Sequence, residues 1–362
     1  MNFRTDGPAE IGITPWDEFI SAKTDEWTSL AKRADPPPDI TPQWLRTVVE
    51  TRQLETKNIW VAWASMDGKR CLVWPFMKTA RWKFGIRMRI LEPLQNLECH
   101  HANVLYNPDV GSPAALILRA LKFAPFSWDF VEIGRLDRES ALAKDLKRFA
   151  ASTGFRVVTR ATHMGSPYLE ITGSWEHYLA SRSANFRQNI KRRLKRAETA
   201  GQLEIRTYTS ANSKEYFDLV MEIEPHTWKH SEGTSLAAQP WELEHYKRSV
   251  IFSDSTVVWV GFVLFSNAVP LAHYMALSHA GTLYGTKHSY REDYDHIAPG
   301  HVLTAHILKW AHDQQYKFVD MLGIAEAHKL LWTKTLRDHH ISKIYSRGLV
   351  GSILGLYDSF RP

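Results

Sequence analysis

The sequence predicts a mixed α/β (α+β) chain of two domains, and three observations lead there. At 362 residues the chain is too long for one ordinary hydrophobic core. Strand-like and helix-like periods alternate along the whole length. From Thr256 to Tyr290, three apolar segments separated by short turn signals read as an antiparallel meander, with a helix directly after it. The expected domains are residues 1–170 and 171–362, joined through Gly165 to Gly173.

In the first domain, helical periods cover Trp16 to Lys32 and Pro42 to Arg52. Strands follow at Ile59 to Ala64 and Cys71 to Phe76, with Asp67-Gly68 as the hairpin turn between them. From Arg81 to Ile90 the pattern alternates strictly. Trp82, Phe84, Ile86, Met88 and Ile90 point one way, and Arg81, Lys83, Arg87 and Arg89 the other. This reads as one strand with a cationic face, either solvated or suited to anionic lipid or phosphate. A helix at Pro113 to Leu121, a strand at Asp129 to Ile133, a helix at Ala141 to Ser152 and a strand at Arg156 to Thr159 complete this half.

The second domain opens on a basic helix, Asn185 to Ala200, with Gly201 at its C-terminal end. Phe186, Ile190, Leu194 and Ala197 form its apolar stripe. A strand at Leu203 to Tyr208 and a helix near Tyr216 to Met221 come next. After the meander the sequence predicts a helix at Gly300 to Gln314, a strand at Phe318 to Met321, a helix at Glu326 to Leu336 and a strand at Ile341 to Tyr345.

Composition excludes several classes. Hydrophobic residues make up 44% and charged residues 23%, so both halves can fold as globular units. The only cysteines, Cys71 and Cys99, exclude a disulfide scaffold and fit a reducing, cytoplasmic setting. Met1 to Thr14 lacks an apolar core, so no signal peptide is expected. The longest apolar run, Val257 to Phe265, is about half a membrane span and reads as a buried strand. A net charge of +6 with 14 tryptophans suggests an anionic partner: a nucleotide cofactor, a phospholipid surface or RNA. Cys99-His100-His101 and His339-His340 lack the spacing of a structural zinc site, so no metal is expected.

Three antiparallel strands, a helix, a strand, a helix and a strand form the element order of the GNAT acyltransferase core. Within it, Tyr294-Asp295, Pro299-Gly300, Asp320 and Lys329…Trp332 resemble the CelD-type (BioF2-like) acetyltransferase domain. Upstream, the Arg-rich helix Phe186 to Gly201, Glu224…Trp228-Lys229…Gly233-Thr234 and Trp128-Asp129 are similar to segments of that family. The resemblance covers roughly 125 to 345. More distantly the chain is similar to the FemABX peptidyltransferases, and this likeness implies tandem GNAT-like domains, each a mostly antiparallel twisted sheet flanked by helices.

The resemblance implies an acyl-CoA donor, no metal, and direct transfer to an amine on an envelope or exopolysaccharide sugar or on a lipid. Ala298-Pro299-Gly300 stands where GNAT proteins hold the donor's pyrophosphate, and His301, Val302 and Leu303 continue that site. Pro299 pre-sets the first helical turn, and the amides of Gly300, His301 and Val302 are candidate phosphate donors. Asp295 replaces the Gln or Arg frequent in such loops and is expected to hold the loop or the acceptor. Asp320 and Lys329 would orient the amine or stabilise charge, or form a structural ion pair. His273 and His226 are candidate bases. The likeness to FemABX assigns the acceptor's phosphate to Arg187 and Arg192, with Trp228 beside the acceptor; a merely solvated helix face is the alternative. Peripheral contact with the inner membrane face is a further expectation. No DNA is expected, and tRNA only if the chain uses aminoacyl-tRNA as Fem proteins do. A non-catalytic nucleotide-binding regulator is the rival outside enzymes.

Overall fold

The computed structural model describes residues 9–83, 85–94, 103–162, 165–251 and 257–360. The chain forms two compact units, one of Met1–Gly165 with Arg337–Pro362 and the other of Ser166–Leu336. Among the described residues no helix is long and apolar enough to cross a membrane. Cys99, His100 and His101 lie outside the described residues.

The first unit is a sheet whose strands run Glu10–Pro15, Ile59–Met66, Lys69–Lys83, Ile86–Pro93, Phe130–Asp137, His339–Tyr345 and Arg156–Ala161, with Leu105–Tyr106 beside the third. Asp67 and Gly68 turn the first hairpin with φ of 50° and 70°, as a two-residue turn requires. Helix Trp16–Ala34 buries Trp16, Phe19, Trp27 and Leu30. Helix Ala141–Thr153 starts at the Ser140 hydroxyl and stops at Gly154, whose φ is 76°.

The expected strand from Arg81 to Ile90 is instead the tip of a hairpin. Lys83 pairs with Ile86, Trp82 with Arg87 and Arg81 with Met88. Gly85, at φ 74°, supplies the reversal, and alternation persists on both arms, so the turn leaves no break in the pattern. The hairpin divides the expected cationic face: Arg81 shares a face with Met88, while Arg87 and Arg89 share the other with Trp82. Arg81 bonds Glu92 and Glu132, while Arg89 clasps the buried Asp129 at 2.8 Å.

The second sheet runs Leu336–Arg337, Ser166–Glu170, Phe318–Asp320, Thr282–Tyr290, Val269–His279, Val257–Ser266 and Leu203–Tyr208. Phe318–Asp320 runs parallel to Thr282–Tyr290, and the meander is antiparallel. Helix Pro299–Asp313 contributes Val302, Leu303, Ile307 and Leu308 to one core with Phe262, Leu271 and Leu283.

These pairings place the unit boundaries differently from 170/171. The expected connection contains a strand, Ser166–Glu170, paired with Phe318–Asp320 in the second sheet. His339–Tyr345 lies between Phe130–Asp137 and Arg156–Ala161, so the last strand belongs to the first sheet. The helix expected to Leu336 is the single turn Ala327–Leu330. Gly201 is extended (φ 167°) rather than left-handed; a Cβ there would lie 2.6 Å from Asn267 Nδ2, so close approach selects glycine.

Candidate functional site

The site in the second unit begins where two strands part. Thr282, Leu283 and Tyr284 pair with Phe318, Val319 and Asp320, and the longer strand then runs on to Tyr290 without that neighbour. A bulge decides what faces the opening. Met275 pairs with Lys287 and Ala276 with Gly285, leaving Thr286 as the extra residue. Side-chain alternation therefore shifts by one, and His288 and Tyr290 join the face of Leu283 and Gly285. Gly285 fits because a Cβ would lie 1.9 Å from the Tyr274 hydroxyl oxygen.

A cleft occupies this region, with Trp228, Lys229, His288, Gly300, His301 and Trp332 among its walls. A second, narrow cavity shares His288, Thr304, His328 and Trp332 with it and is floored by Val319, Met321 and Lys329. The combination is apolar depth with a polar mouth, the usual form of a small-molecule site.

Three histidines surround the opening. His288 Nε2 lies 3.3 Å from His328 Nε2, so one ring can hydrogen-bond the other. His288 is stacked on Tyr274 and held well below the ordinary histidine range by burial, with the Lys229, His328 and Lys329 charges adding to it. His328, at the rim, is lowered by partial burial and by Lys329 and Lys229, against the opposing pull of Glu326. His301 falls to about 4 through burial and the nearby Arg193 and His328. All three rings are thus neutral at pH 7. Lys229 donates to the His288 carbonyl at 2.5 Å, and burial, reinforced by Lys287, lowers it to about 8.

The expected residues divide clearly. Ala298, Gly300, His301, Trp228 and Asp295 line the cleft, while Val302 and Leu303 face the core. Ala298 caps the helix with φ 54°, and its carbonyl accepts from the amides of both His301 and Val302. Of the three amides expected to meet phosphate, only Gly300's is not so engaged among the described residues. Asp295 accepts Ala298's amide on its backbone oxygen, shaping the loop.

His273 cannot reach the cleft. It alternates with Tyr274 and faces the opposite layer, fully buried between the Tyr216 hydroxyl at 3.1 Å and Glu224 at 2.7 Å. Burial lowers it, so the neutral ring donates to an ionised Glu224. Burial alone would raise Glu224, but His273, Ser289 and the Leu236 amide together bring it down to about 2. His226 is exposed and lines neither cavity. Arg187 donates to the carbonyls of Ala180 and Arg182 at the end of the preceding helix, and Arg192 to Asn189. Arg193, one position on, carries charge toward Asp295 and His301, and its Nη1 is buried without a hydrogen-bond partner among the described residues.

Asp320 and Lys329, expected to act on substrate or else to pair with each other, both bond the backbone of Leu322. Asp320 Oδ1 accepts from the Leu322 amide at 2.9 Å, Lys329 Nζ donates to the Leu322 carbonyl at 3.1 Å, and Lys329 pairs with Glu326 at 2.9 Å. Together they clamp Leu322, whose φ is 50°. Among the described residues no group of three or more His, Cys, Asp or Glu side chains is placed to hold a metal ion.

Residues 184–330 match the family model described as the acetyltransferase (GNAT) domain. Similar solved structures include FemX, with a TM-score of 0.57 at 10% identity, covering 93% of this chain and 98% of that one. Another is the C-terminal domain of a putative lysylphosphatidylglycerol synthetase from Agrobacterium fabrum (TM-score 0.52, 11% identity, 94% of this chain and 95% of that one). L-PGS from Bacillus licheniformis gives 0.52 at 11% identity, with 88% and 96% covered. No curated protein sequence matches the chain. The second unit therefore carries a GNAT-type acetyltransferase domain, and the chain has the fold of tandem GNAT-like domains.

Proposed function

We propose that the chain is an acyl-CoA-dependent N-acyltransferase whose donor site is the cleft of the second unit. The observation that carries this reading is the parting of Thr282–Tyr290 from Phe318–Asp320, with the start of helix Pro299–Asp313 lining the opening. Gly300's amide and the Arg193 guanidinium suit the donor's phosphates. The inner cavity, with Val319, Met321 and Trp332, suits an acyl chain or pantetheine arm. An amine attacks the thioester carbonyl, forming the C–N bond. The proton on nitrogen passes to the neutral His288–His328 pair and then to the departing sulfur as the C–S bond breaks, giving an amide and free CoA. Lys229 and Lys329 favour the negative charge that develops on the carbonyl oxygen.

A second reading follows from the helix Ala184–Ala200, whose Arg187, Lys191, Arg192, Lys195 and Arg196 are exposed, and from the structural likeness to FemX. There the donor is aminoacyl-tRNA and the cationic helix meets RNA phosphate. The experiment measures free-thiol release from acetyl-, medium- and long-chain acyl-CoA with amine acceptors, beside acyl transfer from charged tRNA. Thiol release dependent on the amine supports the first reading. No CoA binding by calorimetry, with transfer from charged tRNA, replaces it with the second.

A further inference from the structure

Helix Leu349–Ser359 in the first unit is packed inside out. Gly351 and Gly355, one turn apart, press onto the sheet: a Cβ at Gly351 would lie 2.6 Å from the Asp129 carbonyl oxygen, and one at Gly355 would lie 2.9 Å from Tyr345 Cγ. The large apolar residues lie on the other side. Leu349, Ile353, Leu356, Tyr357 and Phe360 recur at helical spacing and are all exposed, Leu349 by 79% and Phe360 by 85%. A helix folded only for its own domain would turn that stripe inward.

A second apolar projection rises at the same end of the same sheet. Ile90 pairs with Phe130, and Phe130 pairs with Tyr345, so the tip of the Lys69–Lys83 and Ile86–Pro93 hairpin and the start of the terminal helix share one edge. Met88, Ile90, Phe130 and Tyr345 form a small buried cluster, with Leu354 of the helix packed against it. At the hairpin tip Trp82 is 72% exposed on the face of its partner Arg87, and Ile86 is 46% exposed on the other face, that of Met88 and Ile90.

Cations predominate among the exposed charges of this surface. Residues 78–91 contain no carboxylate, and Arg87, Arg156 and Arg347 are exposed. The neighbouring acids are engaged: Asp129 by Arg89, Glu92 and Glu132 by Arg81, and Asp358 by the Tyr345 hydroxyl and Lys343. Exposed aromatic and aliphatic side chains ringed by arginines, on a helix and a hairpin tip, match the interface of an anionic bilayer. A second copy of the chain fits less well, because a two-fold contact would set these arginines against each other.

We propose that this face of the first unit is a membrane-docking surface that lies on anionic phospholipid. The test is vesicle flotation of the full chain with phosphatidylcholine alone and with phosphatidylglycerol added. Binding is expected only with the anionic lipid and weakens as salt rises. Leu349→Ser/Ile353→Ser/Phe360→Ser is expected to weaken binding at least tenfold at every salt concentration. Arg87→Glu/Arg347→Glu is expected to do so chiefly at low salt. Both variants keep the wild-type melting temperature, since the changed side chains are exposed. Absence of wild-type binding, or binding indifferent to both sets of changes, overturns the proposal. So does a dimer in light scattering that the serine variant dissolves, which would make the face a contact between copies. No step of the assay requires turnover, so its outcome is independent of the proposed acyl transfer.

Discussion

Both units contain a parallel strand pair with a proline-led helix between its members in sequence. In the first these are Ile86–Pro93, Pro113–Lys122 and Phe130–Asp137; in the second, Thr282–Tyr290, Pro299–Asp313 and Phe318–Asp320. The difference lies in the side chains that follow each proline. Ala114 and Leu118 are fully buried, so the first helix packs tightly onto its sheet. At the same offsets the second helix has Gly300 and Thr304, which line the cleft, with His301 in place of Ala115. One architecture thus gives a filled core in one unit and an open, histidine-lined site in the other. Chemistry here is a property of a few grafted positions and not of the fold.

The largest expected effect concerns charge buried behind the second sheet. Asp129 of the first unit is clasped by an Arg89 that stays partly in water, whereas Glu224 is fully buried against a neutral His273. Glu224→Ala would leave the His273 ring and the Leu236 amide without their acceptor, which costs about 3–5 kcal/mol. The pH dependence has a definite sign. A folded pKa of about 2 lies below the ordinary 4.5, so the stabilisation is complete above pH 4.5. It is lost as pH falls from there toward 2 and amounts to roughly 3 kcal/mol. Urea melts of wild type and variant between pH 2 and 6 check this: both curves should fall, because Asp129, Glu326 and Asp358 are also held low, and the wild-type curve should fall more steeply by about that amount.

Copying the first unit's residues into the second is the direct way to break the contrast. Thr304→Leu should fill part of the opening, weaken CoA binding at least about a hundredfold, and leave melting unchanged or higher. A hundredfold loss is roughly 2.7 kcal/mol. Gly300→Val is less clean, because a Cβ at Gly300 already lies 2.9 Å from the Tyr290 ring. Unaltered CoA affinity in the folded Thr304→Leu variant, read by calorimetry, would place the donor elsewhere.

A test of the chemistry alone is His288→Gln and His328→Asn, singly and together. Each should lower kcat by about tenfold to a hundredfold with KM for the donor nearly unchanged. Non-additivity in the double variant is expected if the 3.3 Å pair acts as one unit. Full activity in the double variant would assign the proton to water.

What could be read in the sequence follows from how local each signal is. The meander, the basic helix and the Ala298-Pro299-Gly300 helix start are encoded by adjacent residues, and each lies where its pattern indicates. His288 stayed hidden because simple alternation places it opposite Leu283; only the bulge at Thr286 reverses that, and Thr286 carries no signature of one. His328 sits in a four-residue helix with no periodicity to read. His273 stood out by sequence yet faces the wrong layer, since alternating neighbours on a strand serve different cores. The transfer of His339–Tyr345 to the first sheet depends on partners nearly two hundred residues away, beyond any local pattern.

The smallest effect separates scaffold from chemistry within the cleft itself. Asp320 and Lys329 were expected to act on substrate, and they meet at the Leu322 backbone, which they hold at a φ of 50°. Leucine adopts that conformation only at a cost of about 1 kcal/mol, which the two hydrogen bonds offset. Asp320→Asn keeps an acceptor oxygen and should change stability by less than about 1 kcal/mol. Lys329→Met removes the donor to Leu322 and should lower both melting temperature and turnover modestly. Lys329→Gln keeps an N–H donor for the Leu322 carbonyl while removing the charge. Lys329→Gln in place of Lys329→Met should therefore recover melting in either case. It restores turnover only if Lys329 is a positioning residue. Recovered stability with turnover still depressed about tenfold would show instead that the ammonium itself stabilises the reacting carbonyl, and single-turnover rates on the two variants decide between these roles.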